Sequence, residues 1–323
     1  MTTTITQFTA TVNRKRFTAV LTTASKATAP KSYNEVLRYI RLTVNPDGAL
    51  TLEASDCEQA ASINYADTSA KDGLGVLGAT RITGGGSILI NPKQLLARLK
   101  ISKSTDCVLS YHAESGLTLD GAGCSECLST IEACEHPGYS CPDKPISHGV
   151  VLSAEFIRLL GACETNADTY STRYALGSVL VELHTEGVML VATDGRRMLW
   201  GNLGDASATH SQPIASGLLP CLAIDSVVAL AKLADRVAIT VFDNHLRFEA
   251  LDATDNVVGE VCSRLVEGRF PRWREVIPVQ ENSVSFLAGD LLNAAKTCKG
   301  AIPALTAAEK KSGDPEQTGM ILT

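Results

Sequence analysis

The sequence predicts an α+β protein made of repeated domains, each with two helices packed on antiparallel sheets. Three observations predict this class. Apolar residues alternate along short segments that end in glycine-containing turns, helical apolar patterns separate these segments, and the same order of elements occurs twice. With 323 residues, the chain is also too long for one ordinary hydrophobic core. Two or three domains are therefore expected.

The clearest copy of the repeat is a β-hairpin. Leu37–Asp56 and Ala175–Asp194 are both 20 residues long. Each has an alternating apolar strand, a turn with Asp-Gly or Glu-Gly, and a second strand that ends in Ala-Ser-Asp or Ala-Thr-Asp. The two hairpins are 138 residues apart, and a shared Ser–Pro–aromatic pattern, which starts at Ser129 and again at Ser263, has an offset of 134. Two similar offsets favour a true internal repeat.

Helical patterns come before and after each hairpin, and a second hairpin follows. Asn91 before Pro92 is typical of a helix start, since Asn caps the first turn and proline suits the first helical position. The predicted helices are Arg14–Lys26, Pro92–Lys100, Ala154–Thr165 and Asp225–Ala234, and the second hairpins are Val108–Leu119 and Val237–Ala250.

A third unit begins near the end of the sequence. Ser283–Leu287 predicts a strand and Gly289–Lys299 a helix, and Met320–Thr323 lies where the next strand would start. Two elements alone cannot bury their apolar faces, so we expect a third domain truncated at its C-terminal side. The expected domains are residues 1–145, 146–278 and a partial 279–323.

Bulk composition narrows the function classes. No apolar stretch approaches the roughly 20 residues of a membrane span, and the N-terminal residues lack a secretory signal pattern, so a cytoplasmic location is expected. The net charge is −6 and the pI about 5.6. A protein that holds nucleic acid by charge alone is usually basic. Either nucleic acid is not a partner, or the positive charge is gathered on one surface.

Two segments of the second repeat are VATDGRRMLW (Val191–Trp200) and SRLVEGRFPRWREVIP (Ser263–Pro278). Together they resemble the second domain of bacterial DNA sliding clamps, the beta subunits of DNA polymerase III. KATAPKSYNEVLRYIRL, INPKQLL and LSTIEACEHPGY fall where the first clamp domain has their counterparts. The resemblance implies the DNA clamp fold, in which two three-domain chains close a ring with sheets outside and helices inside. It also implies a non-catalytic processivity factor without a cofactor. That ring encircles double-stranded DNA and tethers the replicative polymerase, the clamp loader and repair proteins.

Basic residues on the predicted helices fit such a ring, although ordinary solvated helix faces are the alternative. A positive lining inside an acidic shell would reconcile the net charge with sequence-independent DNA contact. At the position of Ala175, directly after Tyr174, relatives often carry a second aromatic residue. The predicted DNA-contact residues are Arg14, Arg16, Lys31, Lys93, Arg98, Arg173, Tyr174 and Lys232.

The resemblance also implies an apolar pocket for short peptide segments of partner proteins. Glu275 replaces a residue that is often basic in relatives, and Arg196 replaces one that is often His, so a different peptide preference is expected. Plain core packing is the alternative for Leu176 and Val276. The predicted pocket residues are Leu176, Thr193, Gly195, Arg196, Arg197, Met198, Pro271 and Val276.

Three rival interpretations remain open at this point. Asp56 and Asp194 end strands, where carboxylates can act as bases or bind metals, but their equivalent positions favour a turn-forming role. The chain also lacks a phosphate loop and a nucleophile elbow, which argues against catalysis. A complete chain of two full domains could assemble as a trimer. The last rival is a zinc-binding interaction module formed by Cys124, Cys127, Cys134 and Cys141, with His136 nearby.

Overall fold

The computed structural model describes residues 7–45, 49–65, 82–121, 125–128, 130–132, 136–169, 174–185, 187–204, 212–277 and 285–301. The chain divides into two compact units, Met1–Phe270 and Pro271–Thr323, and each is described by itself. No helix in the described ranges is long and apolar enough to cross a membrane.

In the described residues, the first half of the larger unit has two helices and ten strands. Along the chain these are β1 (Gln7–Asn13), α1 (Arg14–Lys26), a 3-10 turn (Glu35–Arg38), β2 (Ile40–Val44), β3 (Leu50–Ser55), β4 (Gln59–Tyr65), β5 (Ile82–Gly84), β6 (Gly86–Ile90), α2 (Pro92–Ile101), β7 (Asp106–His112), β8 (Gly116–Asp120), β9 (Ser125–Leu128) and β10 (Thr130–Glu132).

The second half repeats this plan, with eight strands in its described residues. It contains β11 (Ser147–Leu152), α3 (Ser153–Glu164), a 3-10 turn (Tyr174–Gly177), β12 (Ser178–His184), β13 (Gly187–Thr193), β14 (Met198–Gly204), β15 (Ala215–Pro220), α4 (Cys221–Ala231), β16 (Arg236–Val241), β17 (His245–Leu251) and β18 (Val257–Arg264). The smaller unit has a 3-10 turn (Trp273–Val276) and α5 (Ala288–Ala301).

Strand order shows that the two halves are copies of one topology. In the first, β6-β2-β3-β4 are neighbours in one sheet and β1-β7-β8-β9 in another. In the second, β15-β12-β13-β14 and β11-β16-β17-β18 have the same orders and the same places relative to the helices. The predicted α+β repeat is therefore confirmed.

One sheet runs from the first repeat into the second. β4 pairs antiparallel with β18, with Ile63 opposite Gly259, so four strands of each repeat, together with β10, form a nine-stranded sheet. Gly259 suits this join because a Cβ there would lie 2.9 Å from Ile63 Cδ1. The backbone hydrogen bonds of an ordinary sheet therefore connect the two repeats.

The helices α2, α1, α4 and α3 of the larger unit contact one another in this order and form a single layer. Contacts between α1 and α4 carry this layer across the repeats, and each helix buries an apolar face. Phe17 on α1 meets Tyr65 on β4 edge to face, with ring centroids 5.8 Å apart. Phe156 on α3 packs on Phe248 of β17 at 5.9 Å.

Helix boundaries agree with the sequence pattern in three of the four cases. α1 has the predicted bounds, and Asn91 accepts hydrogen bonds from the Lys93 and Gln94 amides, as a capping residue should. The fourth helix starts at Cys221, four residues before the prediction. Its first turn is apolar on every side, with Cys221, Ala223 and Ile224 buried and Leu222 exposed, so the amphipathic pattern used for the prediction is absent there.

Two predictions from the sequence are wrong. The Ser283–Leu287 strand fails in its described part, because residues 285–287 are exposed and form no strand, while Ser283 and Val284 lie outside the described residues. The predicted helix Asp225–Ala234 also extends too far, because α4 ends at Ala231 and Lys232 is its C-cap residue. The domain boundaries at 145 and 278 remain predictions.

Candidate functional site

Basic residues are concentrated on one part of the helix layer. α1 and α2 together carry seven basic residues and no acidic residue. α3 and α4 carry one basic and three acidic residues. The basic set is Arg14, Lys15, Arg16, Lys26, Lys93, Arg98, Lys100 and Arg158, and the acidic set is Glu155, Glu164 and Asp225. The whole chain has a net charge of −6, so α1 and α2 form a local cationic surface on a protein with a negative net charge.

Most of the predicted DNA-contact side chains in the described ranges reach solvent. Arg16, Lys93, Arg98 and Lys232 are exposed, and so is Lys31 in the loop after α1. Lys93 opens α2, and Lys232 directly follows the last residue of α4. These cations therefore lie on, or directly beside, the helices of the layer.

Of the three other predicted contact residues, the structure describes the side chain of Arg14. Arg14 is half-buried, and its guanidinium donates to the carbonyl oxygens of Ser104 at 2.7 Å and Leu99 at 3.5 Å. It therefore ties α1 to the end of α2. Arg173 lies outside the described residues, and so does the side chain of Tyr174, which begins the 3-10 turn before β12.

The α1–α4 contact includes a pair that the sequence did not reveal. Lys26 Nζ lies 3.0 Å from Asp225 Oδ2, and Thr23 donates to the carbonyl of Ala229 at 3.3 Å. Residues about 200 positions apart meet here, so no local spacing could indicate the contact. The ion pair neutralises part of the charge where the two repeats touch.

The turn after β13 holds five of the predicted pocket residues. Asp194 Oδ1 accepts from the amides of Arg196 and Arg197, both at 2.9 Å. These hydrogen bonds, first that of Arg197 and then that of Arg196, lower the pKa of the Asp194 carboxyl. Thr193 Oγ1 accepts from the Gly195 amide at 3.0 Å and donates to the Arg197 carbonyl at 2.7 Å. Gly195 has a φ of +84°, which favours glycine.

The first repeat contains the same turn. Asp56 Oδ1 accepts from the amides of Glu58 at 2.9 Å and Gln59 at 2.7 Å, and Ser55 takes the role of Thr193. Cys57 has a φ of +75° at the position of Gly195. Both carboxylates thus organise a turn, as their equivalent positions in the sequence predicted.

A segment after α3 connects this turn to Leu176. The Arg197 guanidinium donates to the Thr165 carbonyl at 3.0 Å, and the Asp168 amide donates to the Leu176 carbonyl at 2.8 Å. Leu176 and Thr193 are buried, Met198 is half-buried, and Arg196 and Arg197 are exposed. Residues 165–168 thus contact both the turn, through Arg197, and Leu176.

The remaining two predicted pocket residues belong to the smaller unit. Pro271 and Val276 are exposed there, Val276 at 69%. Between them, Arg274 stacks over the Trp273 ring at 4.2 Å, and Arg272 forms an ion pair with Glu275 at 3.1 Å. Glu275, the departure noted in the sequence, is thus part of a local charge pair.

The cysteine cluster does not form a metal site in the described part of the chain. There, no group of three or more His, Cys, Asp or Glu side chains could hold a metal ion. Cys124 and Cys134 lie outside the described residues. Cys127 contacts the Ser115 carbonyl, whereas Cys141 contacts Cys262 on β18. The contact between Cys141 and Cys262 was missed, since 121 residues separate them.

Comparison with known proteins gives one consistent result. A family model described as the central domain of the DNA polymerase III beta subunit matches residues 151–272. The beta sliding clamp of Escherichia coli K12 is 28% identical over 176 residues, which are 52% of this chain and 43% of the relative. An Escherichia coli O157:H7 beta sliding clamp gives the same values. The chain thus spans less than half the length of these curated relatives.

Solved structures show the same fold. The Thermotoga maritima DNA polymerase III beta subunit has a TM-score of 0.70 at 20% identity, covering 84% of this chain and 68% of that one. A Caulobacter crescentus beta sliding clamp with bound polyethylene glycol has a TM-score of 0.72 at 21%, covering 93% and 76%. A Pseudomonas aeruginosa sliding clamp bound to griselimycin has a TM-score of 0.68 at 20%, covering 84% and 68%. The expected clamp fold is confirmed.

Proposed function

We propose, on the premise that this chain belongs to the bacterial beta sliding clamp family, that it is a processivity factor which encircles duplex DNA. In this role it tethers a replicative polymerase to its template. The observation that carries the proposal is the sheet shared by β4 and β18, because it joins two equal repeats and keeps all four helices in one layer.

The same join supports a ring. β14 has the place in the second repeat that β4 has in the first, and β9 has the place that β18 has in the second. Both β14 and β9 are edge strands of their sheets within the described residues. Edge strands present backbone groups to which another strand can add. We propose that further β4–β18-type joins extend the sheet head to tail until a dimeric ring closes.

The helix layer supports contact with DNA. Exposed cations on α1 and α2 attract phosphates without reading bases, as a protein that slides requires. The residues outside α1 and α2 carry a net negative charge, which repels phosphates. Duplex DNA is therefore drawn to this layer and away from the other surfaces. A topological link then provides retention that these weak contacts alone do not.

The turn after β13 supports a docking site for partner peptides. We propose that Leu176 and Met198 supply apolar contacts and that Arg196 and Arg197 supply charge at the rim. Replicative polymerase, clamp loader and repair proteins are the proposed partners. The Asp56 and Asp194 carboxylates are occupied by backbone amides, which supports a non-catalytic chain.

Retention on closed DNA tests the proposal directly. The full chain is loaded by a bacterial clamp loader with ATP onto nicked circular DNA, and half of the sample is then linearised. We expect the protein to stay on circles and to leave linear DNA through its ends. Equal retention on both forms would overturn the encircling function.

Loss of polymerase tethering tests the docking site separately. Met198→Glu should abolish stimulation of a bacterial replicative polymerase and leave retention on circular DNA unchanged. Leu222→Glu is the matched control, since Leu222 is 89% exposed on α4 and is not among the pocket residues. Full stimulation with Met198→Glu would contradict the proposed site.

A further inference from the structure

The linker between the repeats crosses the shared sheet. After β10, the Tyr139 amide donates to Glu53 Oε1 at 3.3 Å, on β3 of the first repeat. Two residues later, Cys141 contacts Cys262 on β18 of the second repeat. The linker ends where the Ile146 amide donates to the Val241 carbonyl at 2.8 Å. It therefore touches strands on both sides of the β4–β18 join.

Cys141 and Cys262 form a close thiol pair in this region. Their Sγ atoms are 3.0 Å apart, so a movement of about 1 Å would bring them to the roughly 2.05 Å of a disulfide. Cys262 is 2% exposed, whereas Cys141 is only half-buried. A small oxidant can therefore reach Cys141 first, with the second sulfur already in contact behind it.

The surroundings give the two thiols different roles. The Cys262 thiol donates to Cys141, and this hydrogen bond lowers the pKa of Cys141; the Arg247 guanidinium acts in the same direction. The same hydrogen bond, and then burial, raise the pKa of Cys262. Cys141 is thus the more nucleophilic sulfur, and Cys262 retains its proton.

We propose that Cys141 and Cys262 are a peroxide-responsive pair whose disulfide fastens the linker to the sheet join. Cys141 thiolate attacks hydrogen peroxide, so that an S–O bond forms, the O–O bond breaks and water leaves after protonation. Cys262 sulfur then attacks the Cys141 sulfenic acid. The S–S bond forms, the S–O bond breaks, and the hydroxide leaves as water with the Cys262 proton. Two thiols lose two electrons, and the peroxide is reduced to two waters.

The disulfide would restrain a long part of the chain. It closes a loop between residues separated by 121 positions, and it fixes the linker to the strand that joins the repeats. Cross-links across long loops restrict the unfolded chain strongly. A dithiol reductant reverses the link by thiol–disulfide exchange. Oxidation thus makes the inter-repeat joint more rigid, and reduction restores its freedom.

Mass spectrometry of the full chain tests the proposal. The reduced protein is treated with hydrogen peroxide, alkylated and digested without reductant. We expect a peptide that links Cys141 to Cys262, and a Tm that rises by about 5–10 °C and falls back with dithiothreitol. Both cysteines recovered as alkylated thiols, or linked only to other cysteines, would overturn the pairing. A linked peptide without any change in Tm would overturn the restraint of the joint.

Two variants assign the roles within the pair. Cys262→Ser should leave Cys141 as a sulfenic acid that dimedone labels, and the reversible Tm rise should vanish. Cys57→Ser is the matched control, because Cys57 is exposed on the first-repeat turn, and it should keep the linked peptide. If Cys262→Ser does not fold, Cys141→Ser gives the second test, and a reversible Tm rise that persists in it would overturn the proposal.

Discussion

The two repeats share their internal framework and differ on their surfaces. Both have the same strand orders, an aromatic anchor under the first helix, and the same carboxylate-centred turn. Their exposed residues diverge, since α1 and α2 are strongly cationic and α3 and α4 slightly anionic. The turn carries Cys-Glu-Gln in the first repeat and Gly-Arg-Arg in the second. Buried residues and backbone-bonding residues therefore specify the repeat, and exposed residues distinguish the two copies.

The largest expected effect comes from the shared anchors. Phe17→Ala and Phe156→Ala each remove a fully buried ring, so each should lower the free energy of unfolding by about 3–5 kcal/mol. Urea titration of the full chain measures this. Leu222→Ala, at a position 89% exposed, should change it by less than about 0.5 kcal/mol. If the two variants lost very different amounts of unfolding free energy, the two repeats would not depend equally on the aromatic ring under their first helix.

Charge substitutions on the two helix pairs should separate the surfaces. Lys93→Gln on α2 should lower the slope of log affinity against log salt for short duplex DNA by about 0.9, because one phosphate contact is lost. Arg158→Gln on α3 removes the same charge from the anionic pair and should change the slope much less. Fluorescence anisotropy from low to moderate salt measures both. Equal changes would count against a cationic surface confined to α1 and α2.

Substitution of the turn carboxylates should have a smaller and equal effect in the two copies. Asp56→Asn and Asp194→Asn weaken hydrogen bonds to two amides, and each should cost about 1 kcal/mol of unfolding free energy near pH 7. The pKa of Asp194 is lowered in the folded state, so its stabilisation is complete above about pH 4 and is lost as the pH falls through that lowered pKa. Urea midpoints at pH 7 and pH 2.5 measure the effect. An Asp194→Asn deficit that is as large at pH 2.5 would contradict this origin.

Gly195 and Cys57 occupy equivalent positions with positive φ in the two turns. Gly195→Ala and Cys57→Gly should change the free energy of unfolding least, and in opposite directions. Gly195→Ala meets no neighbouring atom, so only the backbone conformation penalises it, by about 1 kcal/mol. Cys57→Gly relieves the same penalty in the first repeat and should be neutral or stabilising by less than about 1 kcal/mol. Thermal unfolding of both variants measures the two signs. Destabilisation by Cys57→Gly would show that the Cys57 side chain contributes to the first turn.

The sequence predicted those features that depend on local pattern. The Phe17, Val20 and Leu21 spacing indicated α1, and Asn91 with Pro92 indicated the start of α2, because capping and periodicity act within a few residues. The roles of Asp56 and Asp194 followed from their equivalent positions. The contacts of Lys26 with Asp225 and of Cys141 with Cys262 could not be predicted, since each depends on how two distant elements pack. The predicted DNA-contact and pocket residues remain predictions, to be tested by the variants above.

The join between β4 and β18 also bears on how far such sequences can diverge. Backbone amides and carbonyls make this contact, and they are the same for every residue except proline. Only a few positions, such as Gly259 opposite Ile63, restrict the side chains along the seam. A seam of this kind tolerates extensive substitution while it keeps its registry. A backbone seam is thus compatible with a fold that this chain shares with solved structures at 20% and 21% sequence identity.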